Sequence, residues 1–169
     1  MESSPITLRV VDAEPLARIA RVLFSEYAAL PHTVGRWPTA AADIAALPAP
    51  YVRPAGVLLI AVPVADAAAP IEAAALGCGA LAAQDPPGIA EIKRLYVRPT
   101  ARKHGIGEAL MRALIDWADT LGYTRVRLDT APQLQPAIAL YGRLGFTPIG
   151  PYRAGLLADA LCFERAVRD

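Results

Sequence analysis

The sequence predicts a mixed α/β fold: one central sheet of six to seven strands with helices on both faces. Three observations carry that expectation. Apolar strand-like runs and amphipathic stretches follow one another in the order β-α-(α)-β-β-β-α-β-α-β-β. A strand at 89–97, a helix at 106–121 and a strand at 124–130 form a β-α-β crossover, which makes its two strands parallel. The turn Asp85-Pro-Pro-Gly88 instead joins its neighbours as an antiparallel hairpin, so the sheet is mixed. The 169 residues make one domain, 1–169, long enough for a single substantial core.

Each element has a local reason. Ile6–Val11 alternates and opens the sheet. Asp12 stands where it can cap the next helix and Pro15 fits the first turn, with Leu16, Ile19, Leu23, Phe24 and Tyr27 at helical spacing over about 13–29. Residues 30–56 are rich in proline and small side chains, with a short helix at Ala40–Leu47 before Pro48. Val57–Val64 is continuously apolar, as in a central strand. Asp66–Pro70 reads as a turn and Ala73–Ala83 as a strand, in which Gly77 and Gly79 weaken the pairing or mark a bulge. In the crossover helix, Ile106, Leu110, Leu114, Trp117 and Leu121 form one apolar stripe closed by Gly122. Pro136–Leu144 is a short helix stopped by Gly145; Phe146–Ile149 and Leu161–Val167 are the last strands.

Composition narrows the function. With 54% hydrophobic and 20% charged residues the chain is globular, and a net charge of +1 gives no general attraction to nucleic acid or an anionic membrane. No uncharged apolar run reaches the ~18 residues of a membrane helix. Cys78 and Cys162 sit alone in apolar runs, as buried thiols of a reducing compartment do. His and Cys residues fall at no ligand-like spacing, so no metal is expected. Met1–Pro5 lacks the basic start and apolar core of a signal peptide, and a cytoplasmic location is the expectation.

The segment from Arg98 to Leu110 is the most informative. It links a strand to a helix through a basic, glycine-bearing turn, where backbone N–H groups can converge on a phosphate. Gly105 and Gly107 let the backbone bend and approach a ligand, while Arg102, Lys103 and His104 add donors and positive charge. The bland alternative is a structural turn with surface charges. A Rossmann fingerprint fails, because Leu110 stands where its third glycine would be.

Four stretches resemble the GNAT superfamily of acyl-CoA-dependent N-acyltransferases: Glu91–Pro99, Arg102-Lys-His-Gly-Ile-Gly107, Ala137–Phe146 with its Leu-Tyr-x-x-x-Gly-Phe context, and Leu161–Glu164. The resemblance covers about 89–165. It implies acetyl-CoA as cosubstrate, its pantetheine arm running along Leu95, Tyr96 and Val97 where two strands splay apart. The pyrophosphate would rest on the amides of Lys103, His104, Gly105, Ile106 and Gly107, beside Arg102. Leu134 departs from the pattern, standing where many members carry an asparagine.

The implied reaction is direct attack, in a ternary complex, by a primary amine of a small molecule or peptide on the thioester. Neutralising a lysine-like amine at pH 7 costs roughly 4–5 kcal/mol, so a proton acceptor is wanted. Glu91 is the candidate base, against the alternative of a strand glutamate paired with Lys93, or of ordered water as the base. Tyr141 is the candidate acid for the departing thiolate, against a tyrosine that only fills the helix–sheet seam. A backbone N–H at Leu95 or its neighbour would polarise the carbonyl. Lys93 and Arg94 are expected on opposite faces of their strand. For the acceptor, the available groups are Glu26, Tyr27, Arg36, Trp37, Tyr51, Arg53, Tyr152 and Arg153, the arginines suiting a carboxylate. A CoA-binding module without transfer activity, and a nucleotide-binding α/β protein, are the competing readings. The last strands could also offer an edge to a second copy of the chain.

Overall fold

The computed structural model describes residues 6–64 and 74–168. Among these, β1 (Ile6–Val10), β2 (Val57–Pro63), β3 (Gly77–Gln84), β4 (Ile89–Val97), β5 (Arg125–Thr130), β6 (Thr147–Ile149) and β7 (Leu161–Ala166) form one sheet. Its order is β1-β2-β3-β4-β5-β7-β6. The pair β4–β5 is parallel and the other pairs are antiparallel, as the crossover and the hairpin turn require. The expected turn at Asp66–Pro70 and the start of the strand expected from Ala73 lie outside the described residues.

Alternation along β2 divides the core in two. Leu58, Ile60 and Val62 face α1 (Leu16–Ala28), which buries Ile19, Leu23 and Phe24 on that side. Val57, Leu59 and Ala61 belong to the other core, with Leu110, Leu114 and Met111 of α3 (Ile106–Thr120) and with Leu140 and Tyr141 of α4 (Gln135–Arg143). The short α2 (Ala40–Ala45) rests on α1 through Ala40 and Ile44. Each fully buried leucine or isoleucine contributes about 1.5–3 kcal/mol, so the two stripes hold the helices to the sheet.

Two local expectations are corrected. Asp12 does not cap α1: the helix begins after Pro15, which occupies the N-cap position without a side-chain bond. Its first amides are met by the carbonyls of Ala13 and Pro15 instead. The apolar stripe of α3 is also wider than the five residues of its seam, because Met111, Ile115 and Ala118 are buried too. A helix laid across β2, β3, β4 and β5 needs a broad apolar arc, not a narrow one.

The strand expected from Ala73 starts at Gly77, and its glycines serve the packing. A Cβ at Gly77 would collide with the carbonyl of Tyr96. A Cβ at Gly79 would come within 2.9 Å of Leu114 Cδ1 and 3.5 Å of Leu95 Cδ1. Opposite Gly79 the β3–β4 register slips: Cys78 pairs with Tyr96 and Ala80 with Lys93, leaving Arg94 and Leu95 against one residue. Arg94 takes φ 57 at this bulge. The bulge breaks the alternation, so Lys93 and Arg94 share a face instead of opposing one another: Lys93 meets Glu91, and Arg94 lies on Trp37. Leu95 turns back to the α3 side.

Candidate active site

Parallel pairing of β4 with β5 stops after three positions, at Glu91–Arg127. From Ile92 to Val97 the β4 edge that faces β5 has no strand partner among the described residues, while β3 holds the opposite edge. A cleft of about 1060 Å³ occupies this divergence. Ile92, Leu95 and Val97 line one wall, Leu128 and Thr130 the other, and Leu134 and Tyr141 the α4 side. The unpaired N–H and C=O groups of a strand edge require partners, and an extended amide-bearing chain supplies them as a further strand would.

The cleft runs to the N-terminus of α3. Lys103 at φ 68 and Gly105 at φ 76 fold the chain back so that Ile106 starts the helix without a side-chain cap. The first helical bond is Ala109 N–H to Gly105 O, at 2.9 Å. Amides 103–108 donate to no backbone carbonyl among the described residues. Free N–H groups and the positive end of the helix dipole meet there, with Arg102 and Lys103 beside them. Arg102 Nε is fixed on the Val97 carbonyl at 3.0 Å. Strand edge and cradle therefore fit, in one continuous cleft, the pantetheine arm and pyrophosphate of the cosubstrate that the resemblance implies. His104 stands apart: its side chain is exposed and outside the lining, so it brings only its backbone to the turn. Tyr96 likewise offers backbone alone, since its hydroxyl donates to Glu26 on the far face at 3.1 Å.

Tyr141, the candidate acid, lies on the wall of the cleft. It is 6% exposed, lines the cleft, and packs its ring on Phe146 and Phe163 at 6.0 and 5.9 Å. Burial pushes its phenol up from the ordinary 10.0, so the group is neutral and holds its proton at working pH.

Glu91 is placed differently. It is 1% exposed and is not part of the cleft lining. Its Oε1 accepts from the Tyr152 hydroxyl at 2.7 Å and from Arg153 Nε at 3.1 Å, and its Oε2 meets Lys93 Nζ at 2.8 Å. Burial pushes this carboxyl up, but Lys93, Tyr152 and Arg153 together outweigh burial and hold it below the usual range. Arg153 also reaches Asp129 Oδ1 at 2.9 Å, tying the β6–β7 loop across the ends of both strands. The pairing with Lys93 was one of the readings the sequence offered; Tyr152 and Arg153 were not tied to Glu91 there, because they lie 61 and 62 residues away and only the folded loop brings them in.

Of the groups considered for the acceptor, Tyr27, Arg36, Trp37 and Arg153 line the cleft. Glu26, Tyr51, Arg53 and Tyr152 do not. Glu26 instead binds Arg98 through both oxygens, at 2.7 and 3.0 Å, and so anchors α1 to the end of β4. Tyr51 caps the core against Phe24, with ring centroids 6.0 Å apart. Cys78 and Cys162 are buried free thiols, and no group of three potential metal ligands occurs among the described residues. No helix among them is long and apolar enough to cross a membrane.

The chain belongs to the Acetyltransferase (GNAT) family, whose profile matches residues 34–146 and so reaches well upstream of the four resembling stretches. Among curated relatives, an uncharacterised N-acetyltransferase of Schizosaccharomyces pombe is 44% identical over 78 residues, covering 46% of this chain and 48% of its own length. An IAA acetyltransferase of Azospirillum brasilense is 40% identical over 80 residues, covering 46% of this chain and 52% of that protein. The match thus spans about half the length of these relatives. Among solved structures, the Salmonella typhimurium acetyltransferase YncA with its cofactor acetyl-CoA superposes with a TM-score of 0.69 at 20% identity, over 97% of this chain and 95% of that one. An acetyltransferase from Streptococcus agalactiae gives 0.73 at 18% identity, over 95% and 98%. These likenesses establish the mixed-sheet fold over nearly the whole chain.

Proposed function

We propose that this protein is an N-acetyltransferase that moves an acetyl group from acetyl-CoA to a primary amine of a small molecule or peptide, by direct attack in a ternary complex. The observation that carries the reading is the continuity of three features in one cleft: an open β4 edge, unpaired amides at the start of α3, and a neutral buried phenol between them. Acetyl-CoA supplies an activated acyl group and a thiolate leaving group. The chain's part is to hold, orient and move protons.

Amides 103–108 and the α3 dipole take the diphosphate charge, and the edge from Ile92 to Val97 fixes the arm so that its end lies in the splay. The backbone N–H at Leu95 or its neighbour polarises the carbonyl, where a fixed donor in a water-poor cleft acts most strongly. Tyr141 gives its proton to the departing sulfur. Glu91, outside the lining and committed to three partners, is better fitted to position Lys93, Tyr152 and Arg153 than to collect a proton. The amine's proton passes to water in the open cleft. Leu134 gives that part of the wall an apolar surface in place of an amide side chain.

The test is release of free thiol from acetyl-CoA in the presence of pooled primary amines, alongside the melting-temperature shift produced by CoA and by ATP. Amine-dependent thiol release with a CoA shift is the expected result. A CoA shift without release makes the protein a binding module, and an ATP shift without a CoA shift makes it a nucleotide-binding protein.

A further inference from the structure

Among the described residues, the acceptor end of the cleft contains one cation without a carboxylate partner. Arg36, Lys93, Arg94 and Arg153 line it. Arg36 is held by Asp159, Lys93 by Glu91, and Arg153 by Glu91 and Asp129. Arg94 forms no ion pair among the described residues, and its Nε is buried without a hydrogen-bond partner. Asp43, a carboxylate lining the same cleft, is turned to the Trp37 indole N–H at 2.6 Å and the Thr39 hydroxyl at 2.8 Å. The nearby Tyr51 phenol feels the Arg94 charge and also shares a side-chain hydrogen bond with this guanidinium, and the two together offset part of the rise that burial imposes on that phenol. A neutral phenol leaves the charge of the guanidinium unbalanced.

The placement of this guanidinium is forced by the backbone. Arg94 occupies the bulge at φ 57, a conformation that costs a non-glycine residue energy and persists only where the surroundings impose it. The bulge turns the side chain onto the face that bears Lys93, and its guanidinium carbon sits 3.6 Å over the Trp37 ring. Stacking on an indole satisfies the flat face of a guanidinium and leaves its in-plane N–H groups for other partners. In-plane N–H groups of a guanidinium bind a carboxylate through two parallel hydrogen bonds.

We propose that Arg94 docks a carboxylate of the acceptor, so that the acceptor is an amino acid or a compound with the same amine-and-carboxylate pair. The proposal rests on the acyl-transfer reading above and narrows its substrate class. A single unbalanced guanidinium matches the single charge of a carboxylate; a phosphate dianion would require a second free cation, and the neighbouring ones are already neutralised. Arg94 directly precedes the residue whose backbone faces the reacting end of the cleft. An anion held there lies within one arginine side chain of the chemistry, which favours a small acceptor carrying amine and carboxylate close together.

Calorimetric titration tests this with defined probes: the standard L-α-amino acids, and separately their α-amides, added to the CoA-saturated protein. At least one amino acid should bind about 100-fold tighter than its amide, as expected when a buried charge pair loses one partner. In Arg94→Gln that ratio should fall to within about threefold. The CoA-induced melting shift reports whether the variant is folded. Should it not fold, Arg94→Lys keeps a stacked charge without the fork, and at least about tenfold of the ratio should be lost. Equal binding of acids and amides by the unmodified protein overturns the proposal, and so does a preference that survives in the variants. Selective acid binding without acetyl transfer would instead retain Arg94's role and defeat the transfer reading.

Discussion

Glu91 and Arg127 are the last residues to pair β4 with β5. Beyond them the two strands diverge, and the same glutamate that ends the pairing gathers Lys93, Tyr152 and Arg153 around its carboxylate. One residue thus marks the mouth of the splay and ties down the loop that overhangs it. The cleft exists because the sheet stops being a sheet at that point, and the ionic cluster holds the separated strands in place.

Replacing Glu91 with Gln removes the charge while keeping the shape. Lys93 and Arg153 are about three-quarters buried, so leaving them without their anion should cost about 3 kcal/mol and lower Tm by roughly 10 °C. The pH dependence has a definite sign. A carboxyl held below its ordinary 4.5 adds stability that is fully present above that value and is lost as pH falls through the lowered one. Acid unfolding of the native protein should therefore steepen below about pH 4.5, and this contribution should be missing from Glu91→Gln. Melting curves across that range check it. If acetyl transfer vanishes in the variant at every pH while Tm is unchanged, Glu91 is the base after all.

Tyr141→Phe keeps the ring against Phe146 and Phe163 and deletes only the hydroxyl. A positioned acid contributes about 100-fold or more, so kcat should fall by at least that factor. The melting shift produced by CoA should stay as it was, since the proposed role puts the phenol at the sulfur and not at the phosphates. Steady-state rates beside CoA titrations separate the two; undiminished turnover removes Tyr141 from the chemistry.

The two glycines of the cradle serve different needs. Gly105 sits at φ 76, and a Cβ added there would meet no protein atom within 4 Å, so Gly105→Ala should cost about 1 kcal/mol through the backbone alone. Gly107 is helical, and a Cβ there would touch Leu140 Cδ2 at 3.7 Å and Val97 Cγ2 at 3.8 Å, ordinary contacts that the fold accepts. Gly107→Ala should therefore leave stability nearly unchanged yet weaken CoA binding, because the new methyl group enters the space beside the unpaired amides. Chemical denaturation and CoA titration of both variants test the distinction; full CoA affinity in Gly107→Ala would place the diphosphate elsewhere.

How much of this was readable in the sequence follows from the range of the interactions. The run 89–97, the basic glycine turn and the stripe from Ile106 are local patterns, and the folded chain reproduces their bounds within a residue or two. Gly77 and Gly79 offered a bulge as one of two readings, but its extra residue at Arg94 on β4 left no such trace. It depends on Gly79 of the neighbouring strand and on Leu95 and Leu114 packing over that glycine. Strict alternation therefore put Lys93 and Arg94 on opposite faces. The partners of Glu91 were hidden for the same reason: Tyr152 and Arg153 lie on a loop with no periodicity, and only tertiary packing delivers them to β4. The misassigned Asp12 shows the converse error, a good capping residue placed three positions before the N-cap of the helix that forms.

Arg36 and Asp159 join the two loops that flank the acceptor end, through two hydrogen bonds of 3.0 Å each. Both side chains are partly exposed, at 26% and 47%, so solvent screening leaves the pair little weight in stability. Its larger effect is on geometry, since it links the segment before Trp37 to the β6–β7 loop over the cleft. Asp159→Asn should leave Tm within a few degrees of the native value and raise the acceptor KM about three- to tenfold, with the CoA-induced shift intact. Raising the ionic strength should weaken acceptor binding in the native protein and have less effect in the variant, which has no ion pair left to screen. An acceptor KM that is unmoved by both the substitution and salt would show that the two loops hold their positions without this link.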